Sequence, residues 1–109
     1  MNNTVEHKME KQLKALASEL RKHGCRGKVD GSSYVAPKTV EAPMLERYLQ
    51  RAGWKCIKPG MYYTEMSSYE QIGRHHGVYE KDGLRAKVSW YSTSSTLPPA
   101  INLEEMQPA

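Results

Sequence analysis

The segment that most constrains the fold is an alternation of apolar and polar residues that follows a tight-turn dipeptide. Asp82-Gly83 is a turn pair, because Gly adopts a positive φ freely and Asp tolerates the left-handed region. Every second residue after it is apolar, and this apolar set consists of Leu84, Ala86, Val88 and Trp90. Such alternation predicts a strand with one face buried and one face in water. Val78 and Tyr79 precede the turn, so we expect a β-hairpin whose apolar face is covered by helices.

Two upstream segments carry the apolar spacing of amphipathic helices. In residues 3–23 the apolar side chains recur every three or four positions, so they share one stripe. Residues 39–52 show a similar spacing, with Pro43 in the first turn, where its missing N–H costs nothing, and Gly53 directly after the end. The stripe of the first helix consists of Val5, Met9, Leu13, Leu16 and Leu20, and that of the second of Met44, Leu45, Tyr48, Leu49 and Ala52.

The remaining segments are expected to complete a small sheet. Residues 25–38 have no periodicity and are predicted to be a connection, in which Tyr34 and Val35 can pair as a short edge strand. Residues 54–66 predict a second hairpin around Pro59-Gly60. The predicted fold class is therefore α+β, with two helices packed on an antiparallel sheet of about three to four strands.

The chain is predicted to form one domain and a tail. Its 109 residues suit a single domain, which we expect to span residues 1–91. Residues 92–109 are expected to be a flexible tail, since their first half is rich in Ser, Thr and Pro. Within the tail, Asn102 is predicted to cap one helical turn that presents Leu103 and Met106 to a partner. With no signal-peptide core and no membrane-spanning window, a soluble, cytoplasmic protein with reduced cysteines is expected.

Positive charge is concentrated in the first part of the chain. The formal net charge is +4. Residues 1–28 carry seven basic and three acidic side chains, whereas residues 92–109 carry two acidic side chains and no basic ones. This asymmetry favours a polyanionic partner near the helices. An ordinary solubilising surface explains the same charge equally well.

The polar face of the predicted hairpin is the leading candidate for a binding surface. Arg85, Lys87 and Tyr91 alternate with apolar residues and should therefore project together into solvent. Arg47 and Arg51 lie one turn apart on the second helix and can extend the patch. Basic side chains interleaved with aromatics suit nucleic acid, because the charges hold phosphates and the rings stack on bases. Protein interfaces have a similar composition, and a solvated face with cross-strand ion pairs is the remaining alternative.

A glycine-flanked loop is the second candidate site. Arg74 lies between Gly73 and Gly77, and backbone N–H groups freed by glycine beside an Arg suit a phosphate. A bulged strand entrance explains the same glycines and is the favoured interpretation.

The sequence does not predict a metal site. The ligand types present are His23, Cys25, Cys56 and the pair His75-His76. Structural zinc sites use closely paired ligands, and only His23 and Cys25 are spaced in that way. No cofactor is predicted. Because the chain has no phosphate-binding glycine loop of the nucleotide-binding type and no nucleophile motif, it is not predicted to be an enzyme.

Residues 77–91 resemble the strand pair G-(I/V)-Y…G…(A)-x-(V/I) at the start of some integrase arm-binding domains. The flanking elements follow a different order, so no functional residue is carried over. The predicted function is that of a small non-enzymatic binding protein acting on nucleic acid or a nucleoprotein complex. The alternative is a protein-binding inhibitor or adaptor of phage or mobile-element type, acting on a host nucleic-acid-processing or defence complex. The sequence leaves the oligomeric state open.

Overall fold

Two helices and six strands make up the described part of the chain, which comprises residues 3–60, 76–89 and 98–106 of a computed structural model. The helices are α1 (Asn3–Lys22) and α2 (Ala42–Arg51). The strands are β1 (Lys28–Asp30), β2 (Ser33–Val35), β3 (Lys55–Lys58), β4 (Gly77–Lys81), β5 (Leu84–Ser89) and β6 (Ala100–Glu105). Both helices lie within the predicted ranges, and the α+β class is confirmed.

The six strands form one antiparallel sheet in the order β1-β2-β6-β5-β4-β3. Two tight hairpins are set by residues that adopt positive φ: Gly31, with a φ of 63°, between β1 and β2, and the pair Asp82 and Gly83, with φ of 50° and 81°, between β4 and β5. The predicted Asp82-Gly83 turn is therefore confirmed. Strands β3, β4 and β5 form a meander, and β6 then pairs with both β5 and β2.

The prediction of three to four strands is an undercount, for two local reasons. Strands β1 and β2 have three residues each, too few to show a period, and they lie in the segment predicted to be a connection. Tyr34 and Val35, expected to pair as a short edge strand, do belong to a strand, but β2 is paired on both sides, with β1 and with β6. The expectation of a helical turn in a flexible tail is wrong for Ala100–Glu105, which is a strand inside the sheet. Ile101 and Leu103 are buried at alternate positions there, so pairing on both sides decides the conformation.

Both helices pack on one face of the sheet. The apolar stripes of α1 and α2 meet the inward side chains of the strands in one cluster, and each fully buried Leu contributes about 1.5–3 kcal/mol to folding. The predicted core residues Ala86 and Val88 are fully buried, whereas Leu84 and Tyr48 are partly buried against the cluster. Trp90 and the second strand predicted after Pro59-Gly60 lie outside the described residues. The cluster includes Leu13, Leu16, Leu20, Tyr34, Leu45, Leu49, Tyr79, Ala86, Val88, Ile101 and Leu103.

A buried carboxylate fixes α2 to the sheet. Glu46 is only 7% exposed, and its Oε1 accepts a hydrogen bond of 2.5 Å from the Tyr79 hydroxyl. The Gly60 N–H lies 3.2 Å from both carboxylate oxygens. Burial, followed by the hydrogen bond to Glu46, raises the pKa of Tyr79 well above its ordinary value. Gly77 leaves room for the carboxylate, because a Cβ there would lie 2.7 Å from Glu46 Cδ.

Candidate functional site

The second face of the sheet carries no helix in the described part of the chain and is called here the open face. The antiparallel register aligns its side chains in rows that cross several strands. At one end the row contains Lys55, Glu80, Arg85 and Glu104. At the other end it contains Lys28, Val35, Ala100 and Ser89. The two ends differ in how their positive charges are compensated.

At the first end, acidic side chains neutralise the predicted basic pair; we call Glu80, Arg85, Lys87 and Glu104 the charged ladder. Arg85 donates from Nε and Nη2 to Glu80 Oε2 over 3.1 and 2.8 Å. Glu104 Oε1 lies 3.6 Å from Arg85 Nη1 and 3.4 Å from Lys87 Nζ. The hydrogen bond to Glu80 is the main cause of a raised pKa of Arg85. The predicted site residues Arg85 and Lys87 therefore lie side by side, as expected, but with their charges locally offset.

The other predicted site residues do not join this patch. Arg47 and Arg51 are exposed on α2, which packs on the helix-covered face, so the sheet separates them from Arg85 and Lys87. The Arg51 guanidinium lies 5.6 Å from the ring centroid of Tyr48, a cation–π contact on the surface of α2. The remaining two predicted residues, Arg74 and Tyr91, lie outside the described residues.

At the second end of the open face lies a half-open groove of about 570 Å³, called here the basic groove. Three cations line it, Arg26, Lys28 and Lys38, together with one acid, Asp30. All three cations are exposed, and none has an ion-pair partner among the described residues. The rest of the lining is mainly small or apolar and consists of Gly27, Val35, Ala36, Pro37, Ser89, Pro98 and Ala100.

A buried tyrosine holds one wall of the basic groove in place. The Tyr34 hydroxyl accepts a hydrogen bond of 2.9 Å from Gly27 N–H and lies 3.2 Å from Cys25 Sγ. Burial is the main cause of a raised pKa for both Tyr34 and Cys25, so both groups stay protonated at neutral pH. These contacts fix the short segment that carries Arg26 and leads into β1.

The opposite wall continues the pairing of β2 with β6. Ala36 N–H donates a 3.0 Å hydrogen bond to the Pro99 carbonyl, and Val40 N–H donates a 3.0 Å bond to the Pro37 carbonyl. The first bond joins the segment before β6 to the segment after β2. The floor and both walls are therefore anchored by the sheet and can position cations without a large rearrangement.

Sequence reasoning missed the basic groove because its residues are distant along the chain. They come from the ends of four strands, and strand β6 was predicted to be part of a tail. Two signals pointed towards it: the excess of basic residues before position 29, and a Gly- and Pro-containing segment with Lys28 and Lys38 at its two ends. Only the sheet register shows that these signals belong to one surface.

Three further properties of the described part of the chain concern metal binding, thiol exposure and membrane crossing. Among residues 3–60, 76–89 and 98–106, no three His, Cys, Asp or Glu side chains are grouped so that they can hold a metal ion. Cys25 is buried and Cys56 is half-buried. Neither described helix is long and apolar enough to cross a membrane.

Comparison of the chain with protein-family models, curated proteins and solved structures finds no match. The two ends of the open face are therefore the features from which a function can be inferred.

Proposed function

We propose that the protein is a small non-enzymatic binding protein that acts on nucleic acid and contacts backbone phosphates in the basic groove. The observation that carries the proposal is the set of three exposed cations, Arg26, Lys28 and Lys38, around one groove, with no ion-pair partner among the described residues. Uncompensated Lys and Arg side chains attract phosphates and release their counterions on binding. In this proposal the basic groove is where the predicted attraction of the basic N-terminal part for a polyanion acts.

The lining of the basic groove suits the sugar–phosphate backbone. Val35, Pro37 and Pro98 provide apolar surface between the cations, against which a sugar can pack while its phosphates reach the rim. The described lining contains no aromatic ring that would stack on a base. Binding through this groove is therefore expected to depend on charge and to discriminate little between base sequences.

The charged ladder has a secondary role in this proposal. A phosphate approaching Arg85 or Lys87 competes with Glu80 and Glu104, which already contact those cations. Each new contact would replace an existing ion pair, so the gain per contact is smaller than in the basic groove. Arg47 and Arg51 can add general attraction from the helix layer.

Three double variants with the same change in charge test the proposal. The groove variant is Arg26→Ala with Lys38→Ala, the ladder variant is Arg85→Ala with Lys87→Ala, and the helix variant is Arg47→Ala with Arg51→Ala. Fluorescence anisotropy with labelled single-stranded and duplex oligonucleotides of mixed sequence measures their affinities. We expect the groove variant to bind roughly tenfold more weakly or worse, and the other two to bind within about threefold of the unmodified protein.

Two results would contradict the proposed site. An equal loss in all three variants would show that only net charge matters, and unchanged binding by the groove variant would place the contact elsewhere. All three variants should retain the melting temperature, because exposed charges contribute little to stability.

A protein partner is the second candidate, and one observation favours it. Strand β3 ends the described sheet, and its Ile57 side chain is 47% exposed. An inhibitor or adaptor can bind a partner by adding a strand at such an edge. Ile57→Ser would then reduce capture of the partner in a pull-down from nuclease-treated lysate, and high salt would not. Capture that disappears on nuclease treatment would instead support nucleic acid.

A further inference from the structure

At the opposite end of the sheet from β3 lies β1, which pairs with β2 alone in the described part of the chain. Its three residues, Lys28, Val29 and Asp30, place a positive charge, an apolar residue and a negative charge in sequence along an edge. Lys28 and Asp30 are exposed on the open face, whereas Val29 is half-buried on the face that carries the helices. The exposed edge therefore presents a positive charge and then a negative charge in a fixed order along the strand.

The hairpin geometry determines which backbone groups of β1 face outward. Gly31 and Ser32 form a two-residue loop, and Asp30 and Ser33 are the pair that flanks it. In such a hairpin the flanking pair is hydrogen-bonded and the next pair, here Val29 and Tyr34, is not. The N–H and C=O of Val29 consequently point away from β2, towards the outer edge of the sheet, where another strand can accept and donate.

We infer that β1 is a self-pairing edge, through which two copies of the chain form a two-fold symmetric dimer with a continuous antiparallel sheet. With the two-fold axis at Val29, Val29 of one copy pairs with Val29 of the other through two backbone hydrogen bonds. Lys28 of each copy then lies directly opposite Asp30 of the other, which makes two ion pairs. In the dimer the unpaired cations of the basic groove are therefore Arg26 and Lys38, the two that the groove variant removes. An isologous interface requires this kind of self-complementarity, and directly opposed charges of unlike sign stabilise strand pairing.

A second surface next to β1 also supports pairing with a second copy of the chain. On the helix side of β1 lies a half-open groove of about 700 Å³, lined by Met9, Leu13 and Val29 and flanked by the ion pair of Glu10 and Lys14. Continuing the sheet across the axis brings the two α1 helices together as neighbours on one side. The two grooves then face each other, and their apolar linings leave water together. This adds apolar area to a strand pair that is short by itself.

An isolated lysine on an edge strand usually prevents unwanted pairing. In the proposed dimer, Lys28 of each copy lies opposite Asp30 of the other copy. No two like charges therefore meet across the interface. A strand of other sequence would meet the Lys28 and Asp30 charges without this match. The charge order therefore favours a second copy of this chain over an unrelated strand.

Charge reversal provides a direct test, measured by sedimentation equilibrium between about 1 µM and 1 mM, the range in which a small interface associates. The unmodified 12.4 kDa chain should approach twice that mass at the upper end. Lys28→Asp and Asp30→Lys should each weaken self-association roughly tenfold or more, since both ion pairs become like-charge pairs. An equimolar mixture of the two single variants should form a heterodimer, and the double variant should regain self-association.

Val29→Pro is an independent variant, because it removes the outward N–H and leaves the pairing of β1 with β2 intact. It should be monomeric with a melting curve close to that of the unmodified protein. A chain that stays monomeric at 1 mM, or single reversals that leave association unchanged, would overturn the inference. The groove variant, Arg26→Ala with Lys38→Ala, should dimerise normally, so failure of this inference is distinguishable from failure of the proposed nucleic-acid site.

Discussion

Gly27 is predicted to be required because no side chain fits at this position, and not because its backbone conformation favours glycine. Gly27→Ala tests this prediction. The φ of Gly27 lies outside the left-handed region that favours glycine, whereas Gly31 has a φ of +63°. An added Cβ at Gly27 would lie 2.3 Å from the Val35 carbonyl oxygen and 2.4 Å from the Tyr34 hydroxyl. Neither atom belongs to a flexible exposed side chain, so the segment carrying Arg26 must move away from β2.

The cost of Gly27→Ala follows from three effects. Overpacking of a filled site costs about 1–3 kcal/mol. Loss of the hydrogen bond from Gly27 N–H to the buried Tyr34 hydroxyl costs about 1–3 kcal/mol. The lower conformational entropy of the unfolded Ala variant offsets about 0.4–1 kcal/mol of this destabilisation. The central values of these ranges give a net destabilisation of about 3 kcal/mol, which lowers the melting temperature of a domain of this size by roughly 12–20 °C.

Gly31→Ala is the matched control for this experiment. No atom of the described residues lies within 4 Å of a Cβ at Gly31. Its cost is therefore backbone strain of about 1–2 kcal/mol, offset by the same lowering of the conformational entropy of the unfolded chain. Urea and thermal unfolding followed by circular dichroism would compare the two variants. If Gly27→Ala costs no more than Gly31→Ala, the close packing around Tyr34 and the anchored wall of the basic groove are both refuted.

Three further predictions concern the core. Val88→Asp should abolish folding, because Val88 is fully buried and an unpaired charge there costs several kcal/mol; a cooperative melt like that of the unmodified chain would contradict this. Glu46→Leu should destabilise by about 2–4 kcal/mol by removing the carboxylate that accepts from the Tyr79 hydroxyl and the Gly60 N–H, and Glu46→Gln, which keeps one acceptor, by less. Burial raises the pKa of Cys25 above its usual 9.0, so its contribution to stability is complete below about pH 9 and declines as pH rises through the higher folded-state pKa. Urea titrations from pH 7 to 11 should therefore show falling stability above about pH 9, with a shallower decline in Cys25→Ala.

The helices and the central hairpin could be predicted because their signals are local. The stripe containing Leu13, Leu16 and Leu20 gives α1, and alternation after Asp82-Gly83 gives β5 with Ala86 and Val88 inward. Strand β6 could not be placed in the same way. Leu103 and Met106 have helical spacing while Ile101 and Leu103 have strand spacing, and a segment this short does not distinguish them.

The candidate site was less predictable than the fold, because it depends on partners distant in sequence. The alternation correctly placed Arg85 and Lys87 on the wet face, but Glu104 belongs to β6 and could not be assigned as their neighbour. Likewise, Arg26 and Lys38 come together only because β1 and β6 begin, and β2 ends, at the same side of the sheet. Register, which is set by pairing across the whole sheet, determines which charges remain uncompensated.

The most direct test of the central claim is the salt dependence of nucleic-acid binding by the groove variant. The logarithm of the affinity falls linearly with the logarithm of salt concentration, by about 0.7–0.9 for each phosphate contact. If Arg26 and Lys38 contact phosphates, Arg26→Ala with Lys38→Ala should reduce this slope by about 1.4–1.8, while the ladder variant should change it little. A groove variant whose slope equals that of the unmodified protein would contradict the assignment of the basic groove as the phosphate-binding site.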